Sequence, residues 1–165
     1  MNPVSTTHLL SEKQRIQMVL HSFIIITLGF MGGIGWLVVL GGHLELWPLP
    51  LIEMNLLDKK ELWRNAHTGP ITNGIFIMAL AAISPLLRLK PQAAKTLCYA
   101  TIVMLWTNTI GYQTSPYTTN RGLDASGGFL NHFCYFSFYT AVFAALIVVG
   151  LGIYGCFGAL KAKST

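Results

Sequence analysis

From Ile16 to Leu40 the chain carries no Asp, Glu, Lys or Arg, and His21 is its one ionisable side chain. A helix crosses the hydrocarbon of a bilayer with roughly 20 mainly apolar residues, so this run suffices for a complete crossing. It is too long for the core of a signal peptide, and no small-x-small cleavage site follows it. Three further apolar stretches run at about 67–87, 96–112 and 129–160. Only 10% of the residues are charged, against about 25% in soluble domains, too few to coat a water-soluble surface. The fold class expected is all-α: a four-transmembrane-helix bundle forming a single integral membrane domain over residues 1–165. The third stretch is the shortest and most polar, with Thr101, Thr107, Asn108 and Thr109, and is expected to face other helices rather than lipid.

Charge sets the orientation. Seven of the 11 Lys and Arg fall on one side: Lys13, Arg15, Arg88, Lys90, Lys95, Lys161 and Lys163. Lys59, Lys60, Arg64 and Arg121 fall on the other, mixed with Glu45, Glu53, Asp58, Glu61 and Asp124. The positive-inside rule then makes both termini and the second loop cytoplasmic. The net charge of +5 is this topogenic pattern; no basic stripe with interleaved aromatics points to nucleic acid. Cys98, Cys134 and Cys156 lie in apolar segments without CxxC spacing, which excludes a disulfide framework and reads as packing. Trp36, Trp47, Trp63 and Trp106 are expected near the outer ends of the spans, as an interfacial belt. His8 lies outside the spans and is given no role.

Polar residues inside apolar spans are the functional candidates. The densest group is Trp63-Arg64-Asn65-Ala66-His67-Thr68-Gly69-Pro70-Ile71-Thr72-Asn73-Gly74. Pro70 lacks an N–H, so irregular or kinked backbone is expected near His67, buried in protein or lining a cavity. His67 and Asn73 are six residues apart, about 9 Å in height and about 120° in direction on a straight helix; they need not meet one ligand from one chain, whereas two neighbouring chains could bring them together. Asn108 and Tyr112, spaced i, i+4, share a face of the third helix at the depth of the His67 segment, which favours a pocket. Gly29 and Gly33 make a GxxxG pair, enlarged by Gly32 and Gly35, and the fourth helix carries Gly150, Gly152, Gly155 and Gly158. Close helix packing is the first reading of such glycines; a shallow groove for a flat cofactor is the second.

The block Trp63-x-x-Ala66-His67-Thr68-Gly69-Pro70-x-x-Asn73-Gly74 resembles the start of the second helix of styrene oxide isomerases. The resemblance continues in Gly41-Gly42-His43-Leu44-Glu45-Leu46-x-Pro48, in Trp106-Thr107-Asn108 with Tyr112, and in Asn120-Arg121-Gly122-Leu123. It covers most of the chain in order, and its specific part is the HxGPxxNG pattern. It implies an intramolecular isomerase of aryl epoxides, homotrimeric in a bacterial inner membrane, with ferric haem b at subunit interfaces. His67 then takes the place of the axial ligand, and Asn73 and Tyr112 the places of residues lining the substrate site. Trp106 and Asn108 fall to the substrate pocket, and Arg64 and Arg121 are the first candidates for the haem propionates. The sequence departs from the family pattern at Met104, where an acidic residue is expected, at His43, where an apolar aromatic is expected, and in the loop from Asp124 to Asn131.

Two other chemistries compete. An electron-transfer b-type cytochrome needs a second axial ligand, from His43 or His132. A non-haem metal enzyme could draw on His43, His67 and His132 with Glu45 or Glu53, although no HxxxH or HxxE element fixes two ligands on one helix.

Overall fold

The computed structural model describes residues 10–164; His8 lies outside them. Four long helices dominate: α1 (Glu12–Gly41), α2 (Lys60–Ile83), α3 (Pro91–Thr114) and α4 (Phe129–Lys163). Two short strands, β1 (His43–Leu44) and β2 (Ile52–Glu53), pair antiparallel between α1 and α2, with His43 opposite Glu53. Single 3₁₀ turns follow α2 (Ser84–Leu86) and α3 (Ser115–Tyr117).

The helix boundaries follow local chemistry. Ser11 caps α1 in a reciprocal box: its hydroxyl accepts the Gln14 amide at 3.2 Å, while its own amide donates to Gln14 Oε1 at 2.8 Å. Gly42 ends α1 in the left-handed conformation (φ 75°), its N–H donating to Val38. Pro91 opens α3 at a position where a missing N–H costs nothing. The second helix begins at Lys60, earlier than the apolar run suggests, and stays helical through Pro70. The helix is therefore not broken at Pro70, although the Ala66 carbonyl turns to Gln113 rather than to residue 70.

Three of the helical segments, Glu12–Gly41, Lys60–Leu86 and Phe129–Lys163, are long and apolar enough to cross a membrane. The molecule reads as a multi-pass membrane protein, with large apolar side chains such as Phe23, Phe30, Phe143, Leu146 and Phe157 on its outside. In α3 two of the four polar residues, Thr101 and Thr109, turn inward and are fully buried, while Thr107 and Asn108 are half-buried. The helix packs against α1, α2 and α4. α1 packs chiefly on α2; α4 packs chiefly on α3 and on the Leu87–Leu89 turn. The core runs through Met18, Ile25, Ile77, Leu97 and Leu105.

The α1 glycines serve helix packing. A Cβ on Gly32 would run into the Ala66 carbonyl, one on Gly33 would lie 2.6 Å from His67 Nδ1, and one on Gly35 would strike the Trp63 ring. Because α2 fills this surface, it offers no groove to a flat cofactor. Gly150 and Gly152 of α4, in contrast, face open space. All three cysteines are free.

Candidate active site

The HxGPxxNG block sends its residues to two neighbouring helices. His67 turns toward α1, where its Nδ1–H donates to the Gly29 carbonyl at 2.9 Å. The rings of Trp36 and Phe30 lie 5.8 Å and 6.3 Å from its own. A bond from Nδ1 to a carbonyl fixes the tautomer and leaves the Nε2 lone pair for a ligand, the arrangement found where histidine binds metal. Gly69 turns toward α3: the Tyr112 ring lies so close that a Cβ at 69 would overlap it. Gly74 turns back to α1, where a Cβ would lie 3.1 Å from the Ser22 carbonyl.

Asn73 faces the cleft between α2, α3 and α4. This cleft has a volume of about 450 Å³, and Asn73, Asn108 and Tyr112 lie together on its wall. Met104, Phe138, Val142 and Val148 supply its apolar lining. Asn73 Nδ2 is buried and has no hydrogen-bond partner among the described residues. An amide donor left unmatched in an apolar wall costs free energy unless something accepts its hydrogen bond, so the cleft is suited to an oxygen-bearing apolar molecule. Tyr112 is held between Gly69 and the edge of Phe138, whose ring centre is 5.2 Å away. Three of the sequence candidates thus share one cleft, while His67 stands on another face of the same helix.

Trp106 lies elsewhere. Its indole N–H donates to His21 Nδ1 at 3.0 Å, tying α3 to α1 and placing the proton of a neutral His21 on Nε2. This bond brings Trp106 to the depth of His21, well inside the span. The outer-belt position expected for it is wrong, because two further turns of α3 follow before Thr114. Arg121 is exposed in the left-handed conformation (φ 66°) and pairs with Glu61 at 3.7 Å. Arg64 is exposed on α2. A separate surface cleft of about 430 Å³ holds Arg121 with Lys59, Lys60, Asp58 and Glu61.

The non-haem metal site does not assemble within one chain. Among the described residues, no three His, Cys, Asp or Glu side chains come together to hold a metal ion. His43 sits opposite Glu53 in the strand pair, and the His132 ring binds the Gly128 carbonyl at 3.1 Å.

Gln113 escaped the sequence reading. Its side-chain amide donates to two backbone carbonyls on two helices, Leu28 at 3.0 Å and Ala66 at 2.9 Å. The signal was an uncharged amide beside Tyr112 at the end of a polar span. Behind the loop between α3 and α4, Asn131 is a second such residue: it accepts the Gly122 amide and donates to the Asp124 and Ser126 carbonyls.

Comparison with known proteins bears on the whole arrangement. The sequence model of the styrene oxide isomerase family matches residues 14–157, which take in α2 and α3 and most of α1 and α4. The chain is also similar to a styrene-oxide isomerase of Pseudomonas fluorescens, with 31% identity over 114 residues, 68% of this chain. The aligned part spans 65% of that relative's length, just under two thirds. The family model's match takes in the HxGPxxNG block, and the protein belongs to the styrene oxide isomerase family.

Proposed function

We propose that the protein isomerises aryl epoxides of the styrene oxide type to aldehydes, inside the membrane and without net redox change. The observation that carries this reading is the meeting of Asn73, Asn108 and Tyr112 on one apolar cleft. The family contributes the reaction; the cleft contributes two amides and a phenol on a largely apolar wall.

Haem b is the proposed cofactor, and the residues fit it. His67 has its Nδ1 committed to Gly29, so Nε2 would be the atom that holds the iron. Arg64 and Arg121 are the proposed propionate partners. When bound, ferric haem supplies a Lewis-acidic iron toward an epoxide oxygen. The chain's own groups do the rest. Tyr112 donates its hydroxyl hydrogen bond, and Asn73 its amide hydrogen bond, to the oxygen as negative charge grows there. Asn108, one turn below Tyr112, lines the same wall. Positive charge develops at the benzylic carbon, and a hydride shift from the neighbouring carbon gives the aldehyde. Met104, Phe138 and Val148 keep out the water that would trap the cation as a diol.

The different facings of His67 and Asn73 support a site built between chains. His67 looks toward α1, whereas the cleft opens between α3 and α4 of the same chain. A flat cofactor on one chain's His67 is proposed to meet the cleft of its neighbour, in a homotrimer with a site at each subunit interface. The proposed topology has four crossings, with α3 as the polar central span and both termini cytoplasmic, in a bacterial inner membrane.

An absorption spectrum of the detergent-purified protein, followed by assay of phenylacetaldehyde from styrene oxide, tests the reading. A Soret band with a five-coordinate ferric signature, perturbed by substrate, is expected together with aldehyde. His67→Ala should purify without haem and without activity; full haem retention would remove His67 as the ligand. A colourless, inactive wild-type protein that added haem does not restore would overturn the function itself.

A further inference from the structure

An α-helix bonds each carbonyl to the N–H four residues on. The Ala66 carbonyl should therefore accept from residue 70, which is Pro70 and has no N–H. A carbonyl released in this way inside a membrane must find another donor. Gln113 Nε2 stands 2.9 Å from it. The second hydrogen of the same amide group reaches the Leu28 carbonyl, at 3.0 Å. These two carbonyls are not arbitrary. Ala66 directly precedes His67, and Leu28 directly precedes Gly29, whose carbonyl receives His67 Nδ1. One amide thus ties together the backbones of α1 and α2 next to both ends of the histidine's hydrogen bond.

The approach of the two helices at this point is close. A Cβ on Gly32 would overlap the Ala66 carbonyl, and one on Gly29 would lie 3.0 Å from the His67 carbonyl. Nothing larger than an amide nitrogen's hydrogens is needed to finish the contact, and an apolar side chain at 113 would leave the Ala66 oxygen unmatched. Glu at 113 would bring an acceptor to two acceptors unless it took up a proton.

We infer that Gln113 replaces the N–H that Pro70 lacks, and that it is a positioning residue for His67. Pro70 keeps a carbonyl free for the third helix, Gln113 occupies it, and the Gly29 carbonyl is thereby held where it orients the imidazole. The role toward His67 as an iron ligand rests on the haem reading above; the pairing of Gln113 with Pro70 does not.

The experiment is a double-mutant cycle on the full-length protein in detergent, using wild type, Gln113→Met, Pro70→Ala and the double variant. Met keeps the length of Gln and removes the donor, while Ala at 70 restores the helix's own N–H. Gln113→Met should lower the melting temperature by about 5 °C, and by less than half as much in the Pro70→Ala background. If Gln113→Met alone does not fold, the double variant should. Equal losses in both backgrounds, or no rescue, would overturn the pairing. In the haem-loaded, reduced proteins, the iron–histidine stretching frequency should shift in Gln113→Met and return toward the wild-type value in the double variant. An unshifted frequency with a lowered melting temperature would make Gln113 structural only. A wild-type protein that takes up no haem defeats the haem reading, while the melting-temperature cycle still decides between Gln113 and Pro70 as a pair or as strangers.

Discussion

At position 69 a single hydrogen atom separates a glycine from a collision with the Tyr112 ring. Gly69→Ala should therefore displace a side chain proposed to hold the epoxide oxygen. Overpacking of this kind costs about 1–3 kcal/mol, and a misplaced catalytic group costs roughly tenfold or more in rate. Melting temperature and kcat should both fall, and an unchanged kcat would detach Tyr112's position from the reaction. Residue types at this scale were legible: an amide and a phenol at i, i+4 on α3 do share one cleft with Asn73. Helical arithmetic also separated His67 from Asn73 correctly. Gln113 was not legible, because its role depends on a carbonyl of another helix and on the proline that frees it. Trp106 was misplaced because tryptophan at a span's end and tryptophan bonded to a buried histidine look alike in sequence.

At the scale of elements, the loop between α3 and α4 is held by its own side-chain hydrogen bonds. Between α3 and α4, Asp124 accepts from the Ser126 amide at 2.8 Å, from the Ser126 hydroxyl, and from Asn120 at 2.5 Å. The Ser126 hydroxyl and amide, followed by Asn120, hold the Asp124 carboxyl below its usual value. A depressed folded pKa contributes stability above the unfolded carboxylate value of about 3.9, and that stability is lost as pH falls through the lower folded value. Amide exchange at Ser126 should stay protected near neutrality and lose protection as the medium is acidified below about pH 4. Asp124→Asn should show weak protection at every pH; a wild-type loop equally protected in acid would refute the link. The helices themselves were readable from apolar run length, and α4 begins at Phe129 as its run does, but α1, α2 and α3 begin earlier than theirs. The charged turn Lys60–Arg64 continues α2 beyond the apolar stretch, and Pro70 fails to interrupt it.

On the scale of the whole molecule, the proposed interface sites make a specific demand. If each site joins His67 of one chain to the cleft of the next, His67→Ala chains and Tyr112→Phe chains, each impaired alone, should complement when co-assembled. Random mixing in equal amounts in a cyclic trimer gives about a quarter of the sites both intact parts. No recovery in verified mixed trimers would place both parts in a single chain. The facing of α2 made this architecture thinkable from the sequence, but no apolar pattern reveals which outer surface meets a second chain. The position of α4 has one more consequence, and it concerns time. A ribosome releases the chain from its N-terminus, so α1 and α2 can seat His67 against Gly29 while α4 is still unmade. The last wall of the cleft, from Phe138 to Val149, arrives only with the final helix. The growing chain therefore lays down the imidazole and the polar side of the cleft first, and the apolar wall that closes the cleft is the last part to be made.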